Sequence, residues 1–240
     1  MEIIILAGGK GTRLKKLVND RPKPLADVNG KPFIEFIMDN LIQQGACHFI
    51  LATGFMSSMF RSHFGDSYRE VPISFSEESR PLGTGGAVIK AQMMLREKKF
   101  FFIVNGDTFF PIKLERLKNF ALKNGSDIAI ALCKAHENGR YGAATLGKKS
   151  EIQFEKTTAL KGELANGGIC VVSRQLEPNL VNHKTPASFE KDLLPAVKQH
   201  GGKITGMVFS DYFIDVGTPQ DYVKFCANVG RGCAPTNYDE

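Results

Sequence analysis

The segment Leu6-Ala7-Gly8-Gly9-Lys10-Gly11-Thr12-Arg13-Leu14, with Pro22-Lys23-Pro24 close behind it, holds the residue types that bind phosphate. It continues the apolar run Glu2–Ala7. A glycine-rich turn after a buried strand leaves backbone N–H groups free and lets a phosphate come close. Arg13 adds a planar, forked cation and Lys23 a point charge. The plainer reading is a tight turn whose glycines serve only the backbone angles. Two other glycine-rich patterns do not fit. A dinucleotide fingerprint would place glycine at position 14, where Leu14 stands, and a P-loop would place lysine directly after its last glycine, whereas Lys10 precedes Gly11.

Asp107 and Asp215 close the apolar runs Val104-Asn105-Gly106-Asp107 and Phe213-Ile214-Asp215. Alone, each reads as a turn or capping residue. If a fold brings them together, two carboxylates at strand ends make a hard-oxygen site suited to Mg²⁺. Such a site serves the attack of one phosphate on another. Both reactants are anions, and a cation with Arg13 and Lys23 would neutralise and align them. No serine or cysteine constellation points to a covalent nucleophile.

The elements that must position these groups follow an alternating rhythm. Strands are expected at Glu2–Ala7, His48–Thr53, Ile73–Ser76, Phe100–Val104 and Asp127–Leu132, with helices at Pro32–Gln44, Ser57–His63, Gly85–Arg96 and Leu114–Lys123. Phe33, Ile34, Ile37, Met38, Leu41 and Ile42 fall on one helical face, and Gly45 supplies the expected stop. This pattern predicts an α/β, Rossmann-like, mostly parallel sheet with helices on both faces, binding ligands at the carboxyl ends of its strands. After about residue 135 short strands are expected at Tyr141–Leu146, Ile152–Phe154 and Gly168–Ser173, as a small antiparallel addition in the C-terminal half. A helix at Ser188–Gln199 and one long strand at Lys203–Val216 follow. The last helix opens at Thr218-Pro219-Gln220-Asp221, with Thr as cap, Pro in first position and an acid in the first turn.

The chain has 240 residues, 42% hydrophobic and 23% charged, which suits one large domain. No apolar run approaches the roughly 20 residues that cross a bilayer, and the opening residues lack a signal-peptide pattern. The net charge of +6 fits anionic substrates, but acids and bases are interspersed, so no nucleic-acid stripe is expected. Five scattered cysteines without a CxxC pair read as reduced thiols of a cytoplasmic protein, three of them in apolar runs and buried. The five histidines are isolated and read as surface or structural residues.

The order Gly8-Gly9-Lys10-Gly11-Thr12-Arg13-Leu14 with Pro22-Lys23-Pro24 resembles the signature of the sugar-phosphate nucleotidyltransferases. The likeness continues through Pro81-Leu82-Gly83-Thr84-Gly85-Gly86, Asn105-Gly106-Asp107, Phe154-Glu155-Lys156, Asn166-Gly167-Gly168 and Phe213-Ile214-Asp215-Val216-Gly217-Thr218-Pro219, covering about residues 2 to 225. It implies a single domain over 1–229, with a nucleotide-binding half to about 135 and a sugar-binding half from about 136; the composition of residues 230–240 reads as a loose tail. It implies a nucleoside triphosphate and a sugar 1-phosphate as partners and Mg²⁺ as cofactor, held by Asp107 and Asp215. Arg13 and Lys23 take the catalytic roles. Leu6, Ala7, Gly8, Gly9, Gly11, Thr12, Gly83, Thr84 and Gly85 are implied to meet the nucleotide. Glu155 would take a sugar hydroxyl and Lys156 the phosphate, with Gly142, Asn166 and Gly167 completing the sugar pocket. Glu77 and Glu78 lie just upstream of the Gly83 loop, and Glu78 could accept from the N1 and N2 donors of guanine. Lys10 could add charge near the phosphates or face solvent.

Within the family, Leu82–Ala87, Asn105–Phe110, Ser188-Phe189-Glu190-Lys191-Asp192 and Asp211–Asp215 look most like the bacterial guanylyltransferases acting on D-glycero-α-D-manno-heptose 1-phosphate. That resemblance implies GTP as donor and a role in surface glycan synthesis. Uridylyl transfer to N-acetylmuramate 1-phosphate, guanylyl transfer to mannose 1-phosphate and a non-catalytic nucleotide-binding module remain open. A metal-dependent glycosyltransferase would show Asp-x-Asp, which Asp107-Thr108-Phe109 lacks. The sequence leaves the oligomeric state open.

Overall fold

The computed structural model describes residues 1–230 except 10, 12, 15, 16, 98, 138–140, 154–157, 183 and 184. The tail expected beyond 230 lies outside the described residues, as do Lys10, Thr12, Glu155 and Lys156.

An eight-stranded sheet forms the centre. In chain order its strands are β1 (Glu2–Leu6), β2 (His48–Thr53), β3 (Ser67–Tyr68), β4 (Val71–Glu77), β5 (Phe101–Asn105), β6 (Ile128–Lys134), β7 (Leu164–Val172) and β8 (Ile204–Val208). Their spatial order is β8-β6-β7-β5-β1-β2-β4-β3. Only β7 and β3 run against the others. The expected mostly parallel sheet with an antiparallel addition is therefore present.

The central strands are apolar along their middles because both faces are covered, with polar residues such as Glu2, His48, Thr53 and Asn105 at their ends. Ile3, Ile5, Phe102 and Val104 point to one side, against Phe33 and Ile37 of α1 (Phe33–Gln43), Leu117 of α4 (Leu114–Asn124) and Phe225 of α6 (Pro219–Gly230). Phe60 of α2 (Ser57–Phe64) joins the same layer. Ile4, Ile50 and Ile103 point to the other side, against Val88 of α3 (Gly83–Ala91) and Leu194 of α5 (Leu194–Gln199). Phe225 meets Phe33 edge-on at 4.9 Å between ring centroids, which pins the last helix onto the first. Truncating a fully buried phenylalanine of this kind costs about 3–5 kcal/mol. No helix among the described residues is long and apolar enough to cross a membrane.

Four local expectations are corrected. The long strand at Lys203–Val216 is two pieces, β8 and Ile214–Asp215, and in the segment between them Phe209 and Phe213 both pack on Phe110. The helix expected to reach Arg96 ends at Ala91 and tightens into a 3₁₀ turn, Gln92–Met94. There the buried Gln92 side chain bonds the backbone of Leu176 in both directions, and the amides of Arg96 and Glu97 donate to Glu2 instead of continuing a helix. The helix at Ser188–Gln199 opens with a wide π turn, Phe189–Leu193, before α5, where Pro195 has no N–H to give the carbonyl of Lys191. The strand expected over Tyr141–Leu146 shrinks to Thr145–Leu146, preceded by an isolated bridge between Ala143 and Ala165, while the Tyr141 ring packs on Phe213.

Of the described cysteines, Cys133 and Cys170 are buried free thiols, Cys226 is partly buried and Cys47 is exposed, so burial is less complete than expected. His48 is structural: its ring bridges Glu2 and Ser74 inside the sheet.

Candidate active site

From β1 the chain proceeds to β2 and β4 on one side, then returns to place β5 on the other side of β1. The carboxyl ends of β1 and β5 are therefore the point where the strand order reverses, and a crevice opens there. Leu6 and Asn105 are paired at this edge. Gly106 donates to the Leu6 carbonyl at 2.9 Å, and a Cβ on Gly106 would stand 2.9 Å from that same oxygen, so the crossing requires glycine.

The glycine-rich turn leaves β1 here. Gly11 adopts φ +57°, and a Cβ on it would lie 3.0 Å from the Cβ of Lys23. The loop thus packs directly on the Pro22-Lys23-Pro24 segment. Arg13 is exposed at its rim. Gly9, Gly11, Arg13, Lys23 and Asp107 line a cavity of about 180 Å³ with Leu6 and Ala7 as its floor.

Lys23 is held in a short 3₁₀ turn and is 8% exposed. Its Nζ donates to Asp107 Oδ2 at 2.8 Å and to Asp215 Oδ1 at 3.2 Å. The carboxylates meet because Thr108–Phe109 and Ile214–Asp215 form an antiparallel ribbon, with Thr108 opposite Asp215. Val216 N also donates to the Asp107 carbonyl at 3.0 Å. The side chains of Asp107 and Asp215 are 40% and 16% exposed. Lys23, read from the sequence as a charge beside a phosphate, thus lies between the two expected metal ligands. Among the described residues no cluster of three or more His, Cys, Asp or Glu could hold a metal.

A larger cavity of about 750 Å³ adjoins the first, lined by Gly8, Phe55, Glu78, Arg80, Gly83, Thr84 and Asn105 among others. Burial pushes the Glu78 carboxyl above the ordinary carboxylate value, an effect reduced by the Leu82 amide and by Lys90. Leu82 N donates to Glu78 Oε2 at 3.0 Å. The Gly83 loop has a second task beyond facing this cavity. Gly83 sits at φ +73°, and a Cβ there would be 2.4 Å from the Ala187 carbonyl oxygen. Gly85 N donates to Ala187 O at 2.8 Å, and Thr84 Oγ1 accepts from Phe189 N at 2.8 Å. These contacts staple the loop to residues 187–189, and Gly85 serves that packing.

A third cavity of about 230 Å³ shares Leu6, Thr84 and Asn105 with the second and adds Asn166, Gly168, Ser188 and Glu190. Asn166 stands where the β7–β6 register shifts, so it is re-aimed into the crevice. Its Nδ2 donates to Glu190 Oε1 at 2.8 Å, and its Oδ1 accepts from Gly168 N at 2.9 Å. Gly142 faces the same carboxylate: a Cβ on it would lie 2.8 Å from Glu190 Oε2. Gly167 instead makes room for Phe110, whose ring would be 2.4 Å from a Cβ. Its glycine is explained by that packing.

Sequence reasoning did not assign Asn105, Phe55, Arg80 or Glu190. Asn105 and Glu190 stood inside noted words, Asn105-Gly106-Asp107 and Ser188–Asp192, and were passed over because neither word says which side chain turns inward. Phe55 and Arg80 carried no local signal at all.

Comparison with known proteins adds to this geometry. The model of the nucleotidyl transferase family matches residues 2–231. A D-glycero-alpha-D-manno-heptose 1-phosphate guanylyltransferase of Campylobacter jejuni is 38% identical over 229 residues, covering 95% of this chain and 100% of that protein. A protein of the same description from Aneurinibacillus thermoaerophilus is 37% identical, covering 93% and 96%. Among solved structures, HddC from Yersinia pseudotuberculosis complexed with GMP-PN superposes with a TM-score of 0.81 at 31% identity, over 95% of this chain and 99% of that one.

Proposed function

The chain belongs to the nucleotidyl transferase family, and on that premise we propose that it transfers a guanylyl group from GTP to D-glycero-α-D-manno-heptose 1-phosphate, releasing pyrophosphate. The observation that carries the reading is the convergence of Lys23, Asp107 and Asp215 beside the glycine-rich turn at the switch point of the sheet. The base and the sugar are drawn from the likeness to the two heptose 1-phosphate guanylyltransferases.

In this reading an oxygen of the sugar phosphate attacks the α-phosphorus of GTP. A new P–O bond forms there as the bond from the α-phosphorus to the bridging oxygen breaks, and pyrophosphate leaves. The glycine turn offers backbone donors and close approach to the triphosphate, and the Arg13 fork clamps its oxygens. No side chain is required to become covalently attached. The large cavity takes the nucleoside, with Glu78 accepting from N1 and N2 of guanine. The third cavity takes the sugar, with its phosphate directed toward the α-phosphorus across Asn105 and Asp107. The enzyme's own polar groups hold both anions in line, which supplies most of the acceleration in phosphoryl-type transfers.

The donor set fits a hard divalent cation. Two carboxylates already converge on one cationic atom, the Lys23 ammonium, and small divalent cations commonly use one or two carboxylates together with substrate oxygens. Asp107 and Asp215 would hold Mg²⁺, which when bound would screen the negative charge of the phosphates. The Lys23 side chain would then be free to pair with a phosphate oxygen.

The test is pyrophosphate release across four nucleoside triphosphates and a panel of sugar 1-phosphates with Mg²⁺. Release confined to GTP with the manno-configured heptose supports the full reading. Release with UTP and N-acetylmuramate 1-phosphate, or with mannose 1-phosphate, replaces the substrate pair. Silence with every pair, while triphosphate still binds, would favour a binding module.

A further inference from the structure

Lys23 stands in a 3₁₀ turn outside the central sheet, whereas Asp215 stands in the 108–109/214–215 ribbon. Their ion pair needs the turn and the ribbon at a fixed spacing, and a long, flexible lysine side chain does not itself set that spacing. We propose that helix α6 is the spacer and that Tyr222 is its positioning residue, acting on the chemistry through Lys23. Tyr222 is not among the residues that line the three cavities, and its role rests on the nucleotidyl transfer reading above.

The chain runs from Asp215 through Gly217 into α6, whose first turn is locked. Thr218 Oγ1 donates to Asp221 Oδ2 at 2.7 Å and accepts from Asp221 N at 3.3 Å, and Pro219 fills the first helical position. The helix then reaches back over the chain that follows Lys23. The Tyr222 hydroxyl donates to the Asp27 carbonyl, and Asn29 Nδ2 donates to the Cys226 carbonyl at 2.9 Å. Asn29 and Gly30, at φ 53° and 86°, make the tight turn between Asp27–Val28 and Lys31–Pro32. Phe225 packs edge-on against both Phe33 and Phe36, at 4.9 and 5.4 Å between centroids. At its near end the same hairpin is joined to Lys23: Ala26 N donates to the Lys23 carbonyl at 3.0 Å, and Phe33 N to the Ala26 carbonyl at 2.9 Å.

These contacts close a ring from Asp215 to α6, to Asp27, to Lys23 and back to Asp215. The Tyr222 hydroxyl is the link in it that a one-atom substitution removes. Burial pushes this phenol up to about 12, so it stays protonated and donates at any working pH. Spacing matters here because a misplacement of about 1 Å in an aligned reaction can cost about 100-fold in rate.

Tyr222→Phe keeps the ring and removes only the hydroxyl. Pyrophosphate release, with kcat and the KM of each substrate, is measured for wild type, Tyr222→Phe, Lys23→Met and the double variant, with urea unfolding as the check on folding. Expected in Tyr222→Phe is a kcat lowered about 5- to 10-fold, the order of one net hydrogen bond, with both KM values little changed. In the Lys23→Met background the same substitution should leave kcat where it was, since the lysine through which it acts is gone. An equal loss in both backgrounds would overturn the assignment, because Tyr222 would then serve the fold and not Lys23. Wild-type kcat in Tyr222→Phe, or a loss confined to KM, would overturn it too. Silence of the wild-type protein with every substrate pair would overturn the functional reading and this one with it.

Discussion

Lys23 and Asp215 stand 192 positions apart in the chain, yet the Nζ of one lies 3.2 Å from the carboxylate of the other. Nothing local links them. The contact exists because the 3₁₀ turn that carries Lys23, packed on the glycine loop after β1, and the 108–109/214–215 ribbon reach the same edge of the sheet, where Asp107 joins them from beyond the end of β5. One buried ammonium thereby holds two acids that would otherwise repel each other.

If that acid pair binds the cation and not merely Lys23, Asp107→Asn and Asp215→Asn should each lower turnover on the order of 1,000-fold, a loss typical of removing a group that stabilises developing charge. Thermal denaturation should stay two-state, since both side chains are partly exposed. Turnover close to wild type in either variant would remove the metal assignment.

Lys23→Met leaves two carboxylates facing each other without their ammonium. Breaking a fully buried pair costs about 3–5 kcal/mol, and the exposure of Asp107 should bring the loss here to the lower end or below. The stability lost should return on adding Mg²⁺, and far less so with K⁺ at equal ionic strength. Urea unfolding with and without each salt reads this directly. No selective rescue would mean that the pair does not take a divalent cation.

Glu78→Gln bears on the base. Guanine offers the N2 donor that hypoxanthine lacks, so discrimination of GTP over inosine triphosphate in kcat/KM should shrink about 10-fold in the variant. Because burial raises the Glu78 carboxyl, its protonation sets in at higher pH than for an ordinary glutamate. The wild-type KM for GTP should therefore climb early on the acid side, and that of Glu78→Gln should not. Parallel pH profiles in the two proteins would reject base recognition by Glu78.

Glu2 concerns stability alone. Burial by itself would raise its carboxyl, but hydrogen bonds from the His48 ring and from the Glu97 and Arg96 amides outweigh that, and the net shift is downward. A carboxyl lowered in the folded state adds stability above its unfolded pKa and loses it as pH falls through the folded one. Glu2→Gln should thus be about 1–3 kcal/mol less stable near neutrality, with the gap closing below about pH 4. Denaturant titrations at several pH values measure both; a gap independent of pH would assign the loss to packing.

What could be read from the sequence was what is written locally. The central strands announce themselves as apolar runs because both faces are buried, and the loops at their ends carry Gly8–Leu14, Asp107 and Gly83–Gly86. The overread strand at Lys203–Val216 shows the limit: Phe209 and Phe213 looked like strand residues, but both lie beyond the end of β8, with their rings packed on Phe110. Gly167, read as allowing close approach in the sugar pocket, also has to be glycine to seat that ring. Glu190 was invisible for the opposite reason. An acid in the first turn of a helix reads as a solvated residue facing the dipole, and only the fold turns it toward Gly142 and Asn166.

The central claim is guanylyl transfer at the α-phosphorus, and ³¹P NMR of a single reaction tests it most directly. With GTP, manno-configured heptose 1-phosphate and Mg²⁺, the account predicts equal growth of a diphosphodiester pair of resonances and of pyrophosphate, at the expense of GTP and the sugar phosphate. Conversion of GTP to GDP and inorganic phosphate, with the sugar phosphate resonance untouched, would contradict it.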